Sequence, residues 1–281
     1  MRVNSRAKSK KYWRPKSTFM DTPTGFKSQR TAAILPAFNE AGRVGDVLRA
    51  VSAANLVDEI IVVCDGCTDQ TAEEAQQAMN SLDDARKPPF TLYDLKKNVG
   101  KGGAMAYGAH RTDADILLFL DADLIGLQHA HVDALLRPML ASSEPAVMTL
   151  GLFGAPRGGA LGWWLGICHR VAASLTGQRA IRRDVFFSIP ELTCSRFGVE
   201  VAITHYVQSV WKLRVQHIRI DGVTHPIKEE KIGVFRGFRH RLNMYGEIAS
   251  YLATDNIRNR ASAQRRDQNL QIKERLSASD E

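Results

Sequence analysis

The stretch Ile116-Leu-Leu-Phe-Leu-Asp-Ala-Asp-Leu124 constrains this chain more than any other. Five consecutive apolar side chains ended by a polar turn read as a strand buried on both faces, as in a parallel sheet covered by helices. Asp121 and Asp123 stand where that strand runs out. Open α/β sheets bind ligands outside the carboxyl ends of their strands, so two carboxylates spaced by the small Ala122 sit at a ligand edge. Hard oxygen donors of this kind suit Mg²⁺ or Mn²⁺, which bind one or two carboxylates together with substrate phosphates. A solvated Asp-rich turn would use the same residues, and the other turns of the chain decide between the two.

Those turns repeat one pattern. Thr31-Ala-Ala-Ile-Leu-Pro36 is a short apolar strand, and Ala37-Phe-Asn-Glu40 turns from it into a helix with Val44, Val47, Leu48 and Val51 at helical spacing. Asp58 to Cys64 is a second buried strand, followed by the turn Asp65-Gly-Cys-Thr-Asp69 and an Ala- and Glu-rich helix. Phe90 to Leu95 is a weaker third strand, and Asn98-Val-Gly-Lys-Gly-Gly103 opens a helix running to His110. Strand, turn and helix in repetition predict βαβ units and a mainly parallel sheet flanked by helices, an α/β fold. The second half is less regular. It offers a strand at Ala146 to Phe153, a Gly/Trp-rich segment over 154–176, and the polar stretch Gly177 to Asp184 ahead of a further helix. A helix then opens at Phe197-Gly-Val-Glu200 and runs to about Trp211, and a strand from Gln216 to Val223 delivers Thr224-His225. Phe238, Leu242, Met244, Tyr245, Ile248 and Leu252 mark an amphipathic helix. The expected organisation is a basic disordered tail over 1–30, an α/β domain over 31–230, and a C-terminal amphipathic helix with a charged tail over 231–281.

The net charge of +8 is informative only once it is located. Residues 1–30 carry nine Lys/Arg against Asp21 alone, so the remaining residues balance. A neutral body has no electrostatic footprint for specific nucleic-acid binding. No apolar core follows the basic start, as a secretory leader would need, and the run Ala160–Val171 is too short and too polar to span a bilayer. The cytoplasm is therefore the expected compartment, with the inner face of a membrane as a variant. Cys64 and Cys67 form a C-x-x-C, but Cys168 and Cys194 stand far apart, so no second zinc-type pair exists. Structural cysteines account for the pattern best.

The turns at Pro36–Glu40, Asp65–Asp69, Gly100-Lys-Gly102, Asp121-Ala-Asp123 and Thr224-His225, in this order and spacing, resemble a GT-A fold glycosyltransferase of the family 2 type over about residues 31–230. Gly100-Lys-Gly102, Gly177-Gln-Arg-Ala180, Phe197-Gly-Val-Glu200 and His225 resemble the glucosyl-3-phosphoglycerate synthase branch in particular. Polyprenyl- and dolichol-phosphate sugar transferases are a more distant likeness. The resemblance implies a nucleotide-diphosphate sugar as donor and a small phosphorylated or lipid-phosphate acceptor. By it, Pro36, Ala37, Asn39, Glu40, Asp65 and Gly66 meet the base and ribose, and Lys101 and Gly102 the diphosphate. Asp121 and Ala122 belong to the same donor site. Asp123 becomes the direct metal ligand, Asp121 an auxiliary one, and His225 completes the shell around Mg²⁺ or Mn²⁺. Gly177, Gln178, Arg179 and Glu200 fall to the acceptor; Glu200 deprotonates its hydroxyl in an inverting enzyme and positions sugar or acceptor in a retaining one. A helix-first-turn glutamate stabilised by the dipole explains Glu200 equally well. A solvated charge run is the plainer account of Arg182 and Arg183.

Cys64 departs from the acidic residue that many relatives carry, which leaves base selectivity open. Trp163, Trp164 and the 235–252 helix suit docking at a membrane surface, while core packing or contact between two copies in a homodimer explains them as well. Two other functions compete. A sugar nucleotidyltransferase would open with a glycine-rich loop at the first strand, where Leu35-Pro-Ala-Phe38 has none. A non-catalytic, basic-tailed nucleotide- or RNA-binding protein would have no use for Asp121, Asp123 and His225.

Overall fold

The computed structural model describes residues 29–82, 87–153, 176–189 and 199–224, all within the first of the chain's two units, Met1–Pro226. The basic tail, the segment carrying Trp163 and Trp164, Phe197, Gly198, His225 and the 235–252 helix lie outside the described residues.

Seven strands form one sheet: β1 (Thr31–Ala37), β2 (Glu59–Asp65), β3 (Phe90–Leu95), β4 (Ile116–Phe119), β5 (Met148–Phe153), β6 (Arg179–Arg182) and β7 (Val215–Ile220), in the order β3-β2-β1-β4-β6-β5-β7. The pairs β1–β2, β2–β3, β1–β4 and β5–β7 are parallel, and β6 runs antiparallel between β4 and β5. The α/β sheet expected from the repeated pattern is present. β1 and β4 are central and buried on both faces, which explains their nearly unbroken apolar composition.

Side chains alternate between two cores. Ile60, Val62 and Cys64 of β2 join Val44, Val47, Leu48 and Val51 of α1 (Val44–Ser52), with α2 (Thr71–Asn80) and α4 (His129–Leu136), on one face. Ile61 and Val63 join the other face, with α3 (Lys101–Ala109), α5 (Arg183–Phe187) and α6 (Val199–Thr204). Each fully buried Val or Leu on α1 contributes about 1.5–3 kcal/mol before chain entropy is subtracted, so α1 is held by its apolar stripe. No helix among the described residues is long and apolar enough to cross a membrane.

Three elements differ from the expectation, and the first is α4, a helix between the aspartate turn and β5 that was not expected. Arg179-Ala-Ile-Arg182, read as a polar stretch, is strand β6; its residues face Phe119, Leu118, Leu117 and Ile116 of β4. Backbone pairing on both sides there overrides the charged composition. The helix expected to run to Trp211 is α-helical only to Thr204 and continues as a π-helical turn, His205–Val210.

Gly108 lets α3 approach the sheet closely: a Cβ there would lie 2.6 Å from Ile34 Cγ2 and 3.3 Å from Val63 Cγ2. Both partners are β-branched and fully buried, so neither can swing aside. Overpacking costs about 1–3 kcal/mol, against the roughly 1 kcal/mol that alanine gains over glycine in a helix. Gly108→Ala is therefore expected to destabilise the fold by a net of up to about 2 kcal/mol, read as a lower urea midpoint.

Candidate active site

The turns after β1, β2, β3 and β4 meet at one edge of the sheet because these strands are parallel neighbours. Asn39 has a φ of 56°, a left-handed conformation that asparagine tolerates better than most residues. Its Oδ1 accepts the Thr68 N–H at 2.8 Å, and the Cys67 thiol lies 3.5 Å from both Ala37 O and Asn39 N. Asp69 Oδ2 accepts the Ala41 N–H, and Thr71 Oγ1 accepts that of Glu40. The first turn is thus stitched to the second. Cys64 is buried in the core, and burial, with Cys67 beside it, pushes its thiol well above the ordinary range. Such a thiol is inert, in keeping with a structural role.

Asp65 ends β2, is buried, and accepts the Val99 N–H at 2.6 Å and the Gly100 N–H at 2.9 Å. Asn98 Nδ2 returns a bond to the Asp65 carbonyl. A Cβ on Gly66 (φ +69°) would lie 2.6 Å from Asn98 N, so the two turns touch backbone to backbone. Gly100, at φ 83°, then admits the chain to α3, whose first residue is Lys101. The carboxylate expected to read the base therefore also fixes the loop that delivers Lys101.

Lys101 Nζ lies 2.6 Å from Asp121 Oδ1 and 2.5 Å from Glu200 Oε1. Partial burial works against its charge, but Asp121 and then Glu200 outweigh it and hold the ammonium well above its usual range. The other Asp121 oxygen accepts from Gln178 Nε2 at 2.8 Å. A Cβ on Gly177 would overlap both Asp121 oxygens, so any side chain there must displace that carboxylate. Asp123, two residues on, is partly exposed. Ile125 and Thr224 exchange both backbone hydrogen bonds, at 2.9 and 3.0 Å, so residue 224 is tied to the turn that carries the two aspartates.

The structure thus brings Asp121, Lys101, Gly177, Gln178 and Glu200 together, and places Asp65, Asn39 and Glu40 on adjoining turns. Gln178, expected with the acceptor, bonds Asp121, expected with the donor. Arg179 is fully buried: its Nη1 donates to Glu200 O at 2.9 Å and approaches Thr204 Oγ1 at 3.4 Å, and Nη2 donates to Thr176 O. Burial pushes its guanidinium down to about 10, against the pull of Glu200 and Asp121. Arg182 pairs with Asp184, and the Arg183 guanidinium stacks on Phe187. Sequence reasoning missed Thr176 and Thr204, two buried threonines with no motif to mark them. Among the described residues no group of three His, Cys, Asp or Glu gathers as a metal cage. Two carboxylates at a strand end still fit Mg²⁺ or Mn²⁺, which take the rest of their shell from phosphate and water.

The sequence matches the model of glycosyl transferase family 2 over residues 32–244. The chain belongs to glycosyl transferase family 2. Glucosyl-3-phosphoglycerate synthase of Mycolicibacterium smegmatis is 32% identical over 129 residues, 45% of this chain and 42% of that protein. An undecaprenyl-phosphate 4-deoxy-4-formamido-L-arabinose transferase of Pseudomonas savastanoi pv. phaseolicola is 34% identical over 95 residues, 32% of this chain and 27% of that one. The chain therefore spans less than half the length of the curated relatives it matches. The fold is that of glucosyl-3-phosphoglycerate synthase from Mycobacterium tuberculosis, solved with Mn²⁺, UDP and glucosyl-3-phosphoglycerate. That likeness has a TM-score of 0.61 at 22% identity, over 80% of this chain and 79% of that one. The same mycobacterial protein has been solved with UDP-glucose and phosphoglyceric acid.

In this family 2 chain, the Asp65 clamp has a measurable cost of removal. A hydrogen bond to a charged group contributes about 1.5–3 kcal/mol, and two are lost in Asp65→Ala, though the half-open loop lets water replace part of them. The variant is expected to be less stable by about 2 kcal/mol, read from its urea midpoint.

Proposed function

We propose that the chain is a metal-dependent hexosyltransferase. It moves a sugar from a nucleoside-diphosphate donor to a hydroxyl of a small phosphorylated carboxylate, with UDP-glucose and 3-phosphoglycerate as the first pair to test. The observation that carries this reading is the single ammonium of Lys101 set between Asp121 and Glu200 at the carboxyl edge of the sheet. Phosphate-binding charge, a metal-side carboxylate and an acceptor-side carboxylate are thereby within one side chain of each other.

In this reading the base lies over the end of β2. The half-exposed apolar side chains Phe38, after β1, and Val99, after β3, stand on the loops to either side of that strand end. Pro36 to Glu40, Asp65 and Gly66 line the base and ribose, and Lys101 and Gly102 the diphosphate. Glycines there let the main chain approach the phosphates while Lys101 supplies the charge. Asp123 is the direct ligand for Mg²⁺ or Mn²⁺, with Asp121 and His225 in support. When bound, the ion neutralises charge on the diphosphate. The acceptor oxygen forms a bond to the anomeric carbon as the bond from that carbon to the β-phosphate oxygen breaks, and the nucleoside diphosphate leaves with the electron pair. The hydroxyl proton must go to a base, and in this reading Glu200 takes it. Lys101 stabilises the negative charge of the leaving group.

The test is a melting experiment with UDP and UDP-glucose, with and without Mn²⁺. A nucleotide at one hundred times its dissociation constant adds about 2.7 kcal/mol, or on the order of 5 °C for a chain of this size. That shift is expected only with the metal, and is expected to vanish in Asp123→Ala. No shift with any nucleoside diphosphate would sink the reading. Gly177→Ala, which must push the Asp121 carboxylate aside, is expected to weaken the same shift. Product analysis with 3-phosphoglycerate and with a polyprenyl phosphate then separates a small acceptor from a lipid one.

A further inference from the structure

The contacts around Lys101 close into a ring. Lys101 bonds Asp121, whose second oxygen accepts from Gln178 Nε2; Gln178 Oε1 is 2.7 Å from Thr176 Oγ1; the Thr176 carbonyl accepts from Arg179; Arg179 donates to the Glu200 carbonyl; and the Glu200 carboxylate returns to Lys101. One buried guanidinium therefore grips both arms that reach Lys101. Toward Asp121 it holds the segment 176–178, and toward Glu200 it holds the first turn of α6. Thr204 Oγ1 also donates to the Glu200 carbonyl, at 2.8 Å, so that oxygen is doubly held.

The burial of Arg179 needs a reason. It has no exposed surface, its Nε has no partner among the described residues, and two of its hydrogen bonds go to main-chain carbonyls. A core position on β6 could be filled by an apolar residue without burying a charge. A rigid planar fork that spans two chain segments is what arginine offers and leucine does not. A side chain with no exposed surface is also poorly placed to meet an acceptor directly, which is the role its sequence motif implied.

We propose that Arg179 is a positioning residue: it sets the spacing between Glu200 and the Lys101–Asp121 pair, and so governs the chemical step rather than acceptor affinity. The kinetic half of this proposal rests on the transferase reading; the geometric half does not. Misplacing a reacting group by about 1 Å costs about 100-fold in rate.

The experiment compares the wild type, Arg179→Met and Arg179→Lys as full chains. Crystal structures come first. The Lys101–Glu200 contact is expected to be lost in Arg179→Met and retained in Arg179→Lys; its survival in Arg179→Met overturns the proposal whatever the reaction is. Kinetics with UDP-glucose, Mn²⁺ and 3-phosphoglycerate come second. Arg179→Met is expected to lose about 100-fold in kcat, with the acceptor KM and the donor dissociation constant within about threefold of wild type. Arg179→Lys, or guanidinium added to the Arg179→Met protein, is expected to recover part of kcat. A raised acceptor KM with kcat unchanged would assign Arg179 to the acceptor and overturn the proposal, as would an unchanged kcat. If Arg179→Met does not fold, Thr204→Val removes the second grip on the Glu200 carbonyl at nearly constant volume. A smaller loss confined to kcat is expected there, and no loss overturns the proposal. If the wild type turns over no nucleotide sugar, the transferase reading fails by itself, and the crystal structures still decide the role of Arg179.

Discussion

The Lys101 ammonium, shared between Asp121 and Glu200, is the interaction on which the rest of the site depends. Two carboxylates brought this close repel each other, and a cation between them turns that repulsion into cohesion. Lysine suits the position because its charge is compact and its stem flexible, so one group can satisfy two acidic partners from different elements. Asp121 comes from the end of β4, Glu200 from the start of α6 and Lys101 from the start of α3. The bridge is therefore a tertiary event with no local precursor in the chain.

The surrounding framework exists to bring Lys101 to that point. Asp65 spends its carboxylate on the Val99 and Gly100 N–H groups, and the Gly66 turn lies against Asn98 where a side chain would not fit. The end of β2 thus dictates where α3 begins. A change at Asp65 would therefore be felt at Lys101.

Much of this was legible in the sequence. The apolar runs at 32–35, 60–64 and 116–120 alternate with amphipathic helices, which fixed the parallel half of the sheet and put Asn39, Asp65, Lys101 and Asp121 on one edge. That inference works because strand burial on both faces is written in consecutive residues. β6 was not legible: Arg179 and Arg182 argue against a strand, and only pairing with β4 and β5 makes one. That Gln178 partners Asp121 was not legible, because the contact joins residues 57 apart.

By itself, then, the sequence determined the fold class, the parallel sheet edge, and the residue types gathered there: carboxylates, a lysine between glycines, and a glutamate opening a late helix. Periodicity and turn chemistry are local, and local patterns can be read along a chain. The tertiary structure alone decided that Lys101 bridges Asp121 to Glu200, that Asp65 serves the Lys101 loop, and that Arg179 is buried beneath the site. Each of these depends on a hydrogen bond or ion pair between elements distant in sequence, and its geometry is set only when the two cores pack against the sheet.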